Sequence, residues 1–377
     1  MISIEITYII CGILLVLSMV TPLFNVFFRK ITPTPSNIDE RDLPPVSVVM
    51  VVEDADTLER NLPVYLQQEY APGVEYIVVF KEGDKDTSDL LKRFASHENV
   101  RKTFVPDSSR YMSDKKLAVT LGVKAARTEW IVLVEPASLP TGNDWLERLA
   151  SHFTSETNLV MGYTKIKDAT DFMNFCHHHT ASYLIRHALK GTAFRTNMHE
   201  LAFRKDEFIR EDGYRGNLKY IRGEYDFLVN KFAKKNQTAV FFDQEAYIEE
   251  DFSSDQTWQR CRLFYQSTRE HLQRRVVHRL VTGWDMAWML IDYIAIVAAA
   301  SVGVITSNTV LGVAAAVAFM LTYILRAVIA HRSFRQFGYD MPVWKLPLLE
   351  IGMIFVRLLD NIRYRRADKY DFITHKL

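Results

Sequence analysis

The chain has 377 residues, a formal net charge of +1 and three cysteines, and 48% of its residues are hydrophobic. So balanced a charge excludes the basic field expected of a nucleic-acid-binding protein. Cys11, Cys176 and Cys261 show no paired spacing, which argues against both a disulfide framework and a zinc site.

The apolar residues gather toward the two ends. Residues 7–28 carry no charge and are long enough, at 1.5 Å rise per residue, to cross a hydrocarbon core of roughly 30 Å. Arg29 and Lys30 follow at once. A cleaved signal peptide would carry its basic residues before the apolar run and a small-residue cleavage site after it, so a retained anchor over residues 1–30 is expected.

A Pro-rich linker, residues 31–45, leads into a regular alternation. Residues 46–52 read as a β-branched strand, 57–68 as a helix, 75–80 as a strand, 88–96 as a helix and 100–105 as a third, weaker strand. The segment from Lys115 then gives a short helix that runs into an uninterrupted apolar strand, Trp130 to Val134, of the kind buried on both faces. The pattern predicts an α/β fold, a doubly wound parallel sheet over residues 46–275. Ligands of such sheets sit at the carboxyl ends of the strands, here Glu53 and Asp54, Lys81 and Glu82, and Glu135. No glycine-rich dinucleotide fingerprint is present, which argues against a hydride-transfer cofactor.

Beyond this domain, residues 286–307 and 309–330 are apolar stretches joined near Ser307 and Asn308, and they predict a transmembrane hairpin spanning 284–330. Arg274, Arg275 and Arg279 precede it and Arg332 and Arg335 follow, so both hairpin ends and the central domain are expected on the cytosolic side of the inner (cytoplasmic) membrane. Asp292 and Arg326 interrupt the two arms; an ion pair or snorkelling would lessen their cost and an ion pair would hold the helices in register, the alternative being a polar lining for a translocation path. Residues 342–366 read as an amphipathic helix on the membrane, with Glu350, Arg357, Asp360, Asn361 and Tyr364 along one stripe and a basic YRRADK end. A soluble core helix is the alternative.

Taken together, PPVSVVMVVEDADTLERNLPVYLQQEY, EYIVVFKEGDKDTSDLLKRF, KKLAVTLGVKAARTEWIVLVEPASLP, HELAFRKDEFIREDGYRGNLKYIRGEYDFLVNKFAKK and TWQRCRLFYQSTREH resemble the family-2 glycosyltransferases, the inverting GT-A class, over roughly residues 44–271. The likeness is greatest to membrane-anchored members with one N-terminal span and a C-terminal hairpin. It implies a GT-A type nucleotide-binding sheet, a nucleotide-sugar donor and a lipid-linked or polysaccharide acceptor. In Gly223-Glu224-Tyr225-Asp226, Glu224 takes the position of the general base and Asp226 that of the second acid. Glu53, Asp54, Lys81, Glu82, Lys115 and Lys116 fall at nucleotide-binding positions. Gln266, Arg269 and His271 match, in part, a signature that lines the acceptor channel and holds the diphosphate.

Two positions depart from that family. The metal corner, two carboxylates in Asp-x-Asp, reads Glu135-Pro136-Ala137, so only Glu135 remains and Mg²⁺ or Mn²⁺ is expected to bind weakly at most. Lys81 stands where an aspartate commonly accepts from the uracil ring, and a lysine has donors only. It would face a phosphate, with Glu82 as the neighbouring acceptor. These losses keep open a second reading, a catalytically silent relative that scaffolds or regulates an active transferase. A transporter would need more membrane-spanning chain. The run His177-His178-His179 resembles a metal cluster, but adjacent helical residues point about 100° apart and cannot share one ion, so a surface or interface role is expected.

Overall fold

The structure, a computed structural model, describes residues 4–34, 43–106, 112–251 and 254–374. The chain forms two compact units, one of residues 1–30 and 274–358 and the other of 31–273 and 359–377.

The larger unit is built on a seven-stranded sheet. In chain order its strands and those of a small second sheet are β1 (Val46–Val51), β2 (Val74–Lys81), β3 (Val100–Val105), β4 (Trp130–Val134), β5 (Ser138–Pro140), β6 (Leu159–Gly162), β7 (Thr164–Ile166), β8 (Glu200–Arg204), β9 (Thr238–Phe241) and β10 (Ile248–Glu250). The large sheet runs β3-β2-β1-β4-β8-β6-β9, and β5-β10-β7 form the small one. β3, β2, β1 and β4 are parallel, as the apolar runs suggested. The sheet as a whole is mixed, however, because β8 runs antiparallel to both β4 and β6. The expectation of a doubly wound parallel sheet is corrected at that strand. After Val134 the strands shrink to pieces of three to five residues, too short for periodicity to record their direction.

Every residue of β1 and β4 is buried. With Leu58, Leu62, Tyr65, Trp145 and Leu149 they make the core, where fully burying a large apolar side chain contributes about 1.5–3 kcal/mol. The helix Asp114–Ala125 lies against this sheet at close range: a Cβ on Gly122 would stand 2.5 Å from Val49 Cγ1. Only glycine lets that helix approach so near, and the approach delivers its first turn, with Lys115, to the carboxyl ends of β1 and β4.

The smaller unit packs Cys11 and Leu14 of the helix Ile4–Val20 against Ile296, Ala299, Leu311, Ala315 and Ala318 of the helices Arg275–Ile305 and Thr309–Gln336. Three segments, Ile4–Phe24, Arg275–Ile305 and Thr309–Gln336, are helical, long and apolar enough to cross a membrane. Asn308 caps the last of them, accepting from the Leu311 N–H at 3.2 Å, and donates to Thr7 Oγ1 at 3.0 Å.

The expected contact between Asp292 and Arg326 is not the arrangement found. Both side chains are fully buried, but Asp292 accepts from Ser18, Thr21 and Thr322 at 3.2, 3.2 and 2.6 Å. Arg326 instead donates to Glu350 at 2.8 Å and lies 3.7 Å from Asp285. Three hydroxyls suffice to satisfy one carboxylate, which leaves the guanidinium to other acids.

The helix Leu346–Arg366 is amphipathic with its faces reversed relative to a soluble protein. Glu350, Asp360 and Tyr364 point inward and are buried, while Leu348, Phe355, Leu358 and Leu359 are exposed. Asp360 accepts from Arg262 Nε at 2.7 Å. An apolar outer face of this kind suits a lipid surface.

Candidate functional site

A cleft of about 1020 Å³ opens at the carboxyl ends of β1 and β2, lined among others by Glu53, Lys81, Glu82, Lys115 and Arg222. Its far wall includes Ile373 and Thr374. That C-terminal strip is tied to the strip before Glu224: Ile221 N–H donates to the Phe372 carbonyl at 3.0 Å, and Thr374 N–H to the Lys219 carbonyl at 2.8 Å.

Charge in the cleft is arranged as alternating pairs. Lys115 Nζ lies 2.7 Å from Glu135 Oε2 and 3.3 Å from Glu53 Oε1, and Arg222 Nη1 donates to the same Glu53 oxygen at 3.0 Å. Burial works against the Glu53 charge, but Lys115 and Arg222 hold its carboxyl down at about 2. Burial likewise opposes the Lys115 ammonium, yet Glu135, Glu224 and Glu53 raise its pKa above the ordinary lysine value. Lys115 is therefore a fixed cation. Lys116, one residue on, is fully buried; it donates to the carbonyls of Tyr220 and Arg222, and burial brings it down to about 8. It serves as a brace beneath the 220–224 strip rather than as a ligand group in the open cleft.

Gly223 and Glu224 sit where that strip turns into the helix Glu224–Phe232. Gly223 has φ +98°, a left-handed conformation that glycine alone adopts without strain, and a Cβ there would stand 2.7 Å from Thr268 Cγ2. The turn swings Glu224 inward. Its carboxylate is buried, Oε1 has no hydrogen-bond partner among the described residues, and its charge acts on Lys115, Lys116 and Arg222. A buried acceptor left open in this way is costly unless another molecule supplies the donor.

Asp226, two residues later, has a different role. It accepts from Arg195 Nε and Thr196 N–H, each at 3.2 Å, and from Thr268 Oγ1 at 3.4 Å. These contacts tie it to the segment 195–196 and to the helix Asp255–Arg269, a bracing arrangement for the start of the helix Glu224–Phe232.

Other expected ligand residues are also redirected. Asp54 caps the helix Ala55–Leu66, accepting from Thr57 N–H at 3.0 Å, because a carboxylate at a helix start finds free N–H groups nearer than any ligand. Lys81 pairs with Asp114 at 2.7 Å on the cleft rim, so the acceptor beside it is Asp114. Glu82 lines the cleft and is exposed. Gln266, Arg269 and His271 do not line it. Gln266 is buried, Arg269 stands 5.9 Å over the Tyr265 ring, and His271 stacks on Tyr220 with centroids 4.2 Å apart. This stretch packs against the 220–227 strip and supports it.

Four residues of the neighbourhood gave no sequence signal of their own. Arg222 lines the cleft and brings a guanidinium to it. Arg195 is buried on Asp226 and stacks 3.4 Å over Tyr265. His199, half-buried, pairs with the buried Glu250, with Nδ1 and Oε2 3.0 Å apart and the His199 backbone N–H donating to the other oxygen at 3.0 Å. Burial disfavours both charges, but each sustains the other, raising His199 and lowering Glu250. Arg222 directly precedes Gly223-Glu224, and that adjacency was the available clue.

His177, His178 and His179 are buried in the helix Asp171–Leu189, which corrects the expectation of a surface role. The rings diverge as helical geometry requires. His177 Nε2 lies 2.7 Å from the Thr164 carbonyl, whereas His178 Nδ1 meets the Tyr163 hydroxyl at 3.0 Å. His177 and His178 thus each find a partner in the core, which allows these two polar rings inside.

No protein-family model and no curated protein sequence matches the chain. Similar solved structures include the mannosyltransferase PcManGT from Pyrobaculum calidifontis in complex with GDP-Man and Mn²⁺, which covers 89% of this chain and 100% of its own at 15% identity, with a TM-score of 0.48. They also include TarS of S. aureus, over 64% of this chain and 43% of that one at 12% identity and a TM-score of 0.45. TarS residues 1–349 in complex with UDP match over 58% of this chain and 63% of that one, at 13% identity and a TM-score of 0.42. The chain thus spans less than two thirds of each TarS chain.

Proposed function

We propose that the chain is a membrane-anchored inverting glycosyltransferase of GT-A type, with its catalytic unit on the cytoplasmic face of the membrane. It moves a sugar from a nucleotide-sugar donor to a lipid-linked or cell-envelope glycan acceptor. The observation that carries this reading is Glu224, a buried carboxylate with an open oxygen, whose charge acts on the cations of a strand-end cleft. In the reaction the acceptor hydroxyl oxygen bonds to the anomeric carbon as the bond from that carbon to the phosphate oxygen breaks. The hydroxyl proton passes to Glu224, and the electron pair leaves with the nucleoside diphosphate, whose charge Lys115 and Arg222 meet.

The test is Glu224→Gln, which keeps the shape and loses the base. It is expected to lower glycosyl transfer about 10²- to 10⁴-fold with folding and nucleotide binding retained. The measurement is complementation of a deletion strain, scored as envelope glycan composition with membrane abundance checked in parallel.

A second reading, a silent scaffold or regulator of envelope glycan synthesis, draws on the closed chain of ion pairs Arg222–Glu53–Lys115–Glu135 and on Ala137 in the metal corner. Full rescue by Glu224→Gln at normal abundance would favour it over catalysis.

A further inference from the structure

The strand-end corner that would hold a divalent cation does not fit one. Such an ion needs several oxygen ligands at about 2.0–2.6 Å and is repelled by fixed positive charge. Here the strand-end carboxylates Glu53 and Glu135 already share the Lys115 ammonium, and Glu53 also accepts from Arg222. Ala137 offers no oxygen from its side chain, and the Pro136 carbonyl is taken by Asn61 Nδ2 at 2.7 Å.

We propose that Lys115 is the resident cation of this site, standing where the metal would stand, so that a nucleoside diphosphate binds without divalent metal. The inference rests on the nucleotide-binding reading given above. Three features support the assignment. Lys115 is delivered to the corner by the close-packed helix Asp114–Ala125, its side chain is only 13% exposed, and it is held between the ends of adjacent strands β1 and β4. The charged groups that act on it include Glu53, Glu135, Glu224 and Arg222, with His199 beyond them. A second positive centre added to that set would meet Lys115 and Arg222 directly, whereas a diphosphate approaching from the cleft meets two donors. An ammonium gives a diphosphate charge and hydrogen bonds without the ligand geometry a metal demands.

The test uses the full chain in detergent or nanodiscs, with UDP and GDP as probes, titrated calorimetrically in EDTA and again with excess Mn²⁺. The unaltered protein is expected to bind one of them in EDTA with little change on adding Mn²⁺. Lys115→Met is expected to lose about tenfold to a hundredfold in EDTA, the worth of a charged hydrogen bond, and to recover with Mn²⁺, because Glu53 and Glu135 are freed to hold it. Lys115→Arg keeps the charge and is expected to bind in EDTA, which guards against a Met variant that fails to fold. Strictly Mn²⁺-dependent binding by the unaltered protein, or unimpaired binding by a folded Lys115→Met in EDTA, overturns the proposal. Mn²⁺ binding without nucleotide, followed by electron paramagnetic resonance, separates the two readings. If neither UDP nor GDP binds under any condition, the nucleotide reading falls. Mn²⁺ held only by Lys115→Met then still supports Lys115 as the resident cation, and Mn²⁺ held by the unaltered protein, or by neither protein, overturns it.

Discussion

Trp145 donates its indole N–H to Glu200 at 2.7 Å, inside a core where Glu200 is fully buried and its second oxygen has no partner among the described residues. Burial pushes this carboxyl up to about 8. The folded chain therefore keeps a proton there that the unfolded chain releases near 4.5.

That difference fixes the sign of a pH dependence. Between about pH 4.5 and 8 the native state binds the extra proton, so the Glu200 contribution to stability falls as pH rises through this window. Glu200→Gln keeps an acceptor for Trp145 and cannot ionise. Thermal melts of the two proteins across that range are expected to diverge, with the variant gaining relative stability as pH increases; parallel curves would remove Glu200 as the source.

Two acids within one helical turn should separate by phenotype. Unlike Glu224→Gln, Asp226→Ala leaves the Arg195 guanidinium buried without its carboxylate, a loss of about 3–5 kcal/mol. We expect low membrane abundance and a lowered melting temperature for Asp226→Ala, against normal abundance for Glu224→Gln. Equal abundance of both would show that Asp226 does not brace the fold.

Gly223→Ala tests the turn that aims Glu224. The added methyl meets Thr268 and Phe227 and forces a left-handed alanine, a strain of about 1–3 kcal/mol. Activity is expected to fall by more than the loss in folded protein accounts for, since Glu224 moves with the turn. Hydrogen exchange localised to 220–232 would report the displacement.

The orientation of the chain is checked by reporter fusions. A fusion at Asn308 is expected to report the side opposite to one joined within residues 224–232, because Arg274, Arg275, Arg332 and Arg335 flank the hairpin. Matching signals from both positions would reverse that assignment.

The strands β1, β2 and β4 were legible because each is a continuous apolar run, and β3 because it completes the alternation with helices. β8 was not, since direction within a sheet is set by tertiary pairing and leaves no trace in a five-residue stretch. At the site, residue types at strand ends and at a helix start could be picked out one by one, as Glu53, Lys115, Glu135 and Glu224 were. Their partnerships could not: Arg222 meets Glu53 across 169 positions, and Arg195 meets Asp226 across 31. The local partners of Asp54 and Lys81 were hidden for a related reason. Asp54 accepts from a nearby helix start and Lys81 pairs with Asp114, neither of which a residue type announces. The stripe on 346–366 was visible as a period, but a period does not say which face turns inward.

The pairing of 372–374 with 219–221 sets a constraint on the timing of synthesis. Ile373 and Thr374 leave the ribosome after all three apolar helices, so the cleft is without one wall while those helices are being made. A nascent chain arrested before that point would own every charged group of the site and still lack the enclosure around it. The enclosure is therefore complete only after the whole of the smaller unit has been synthesised.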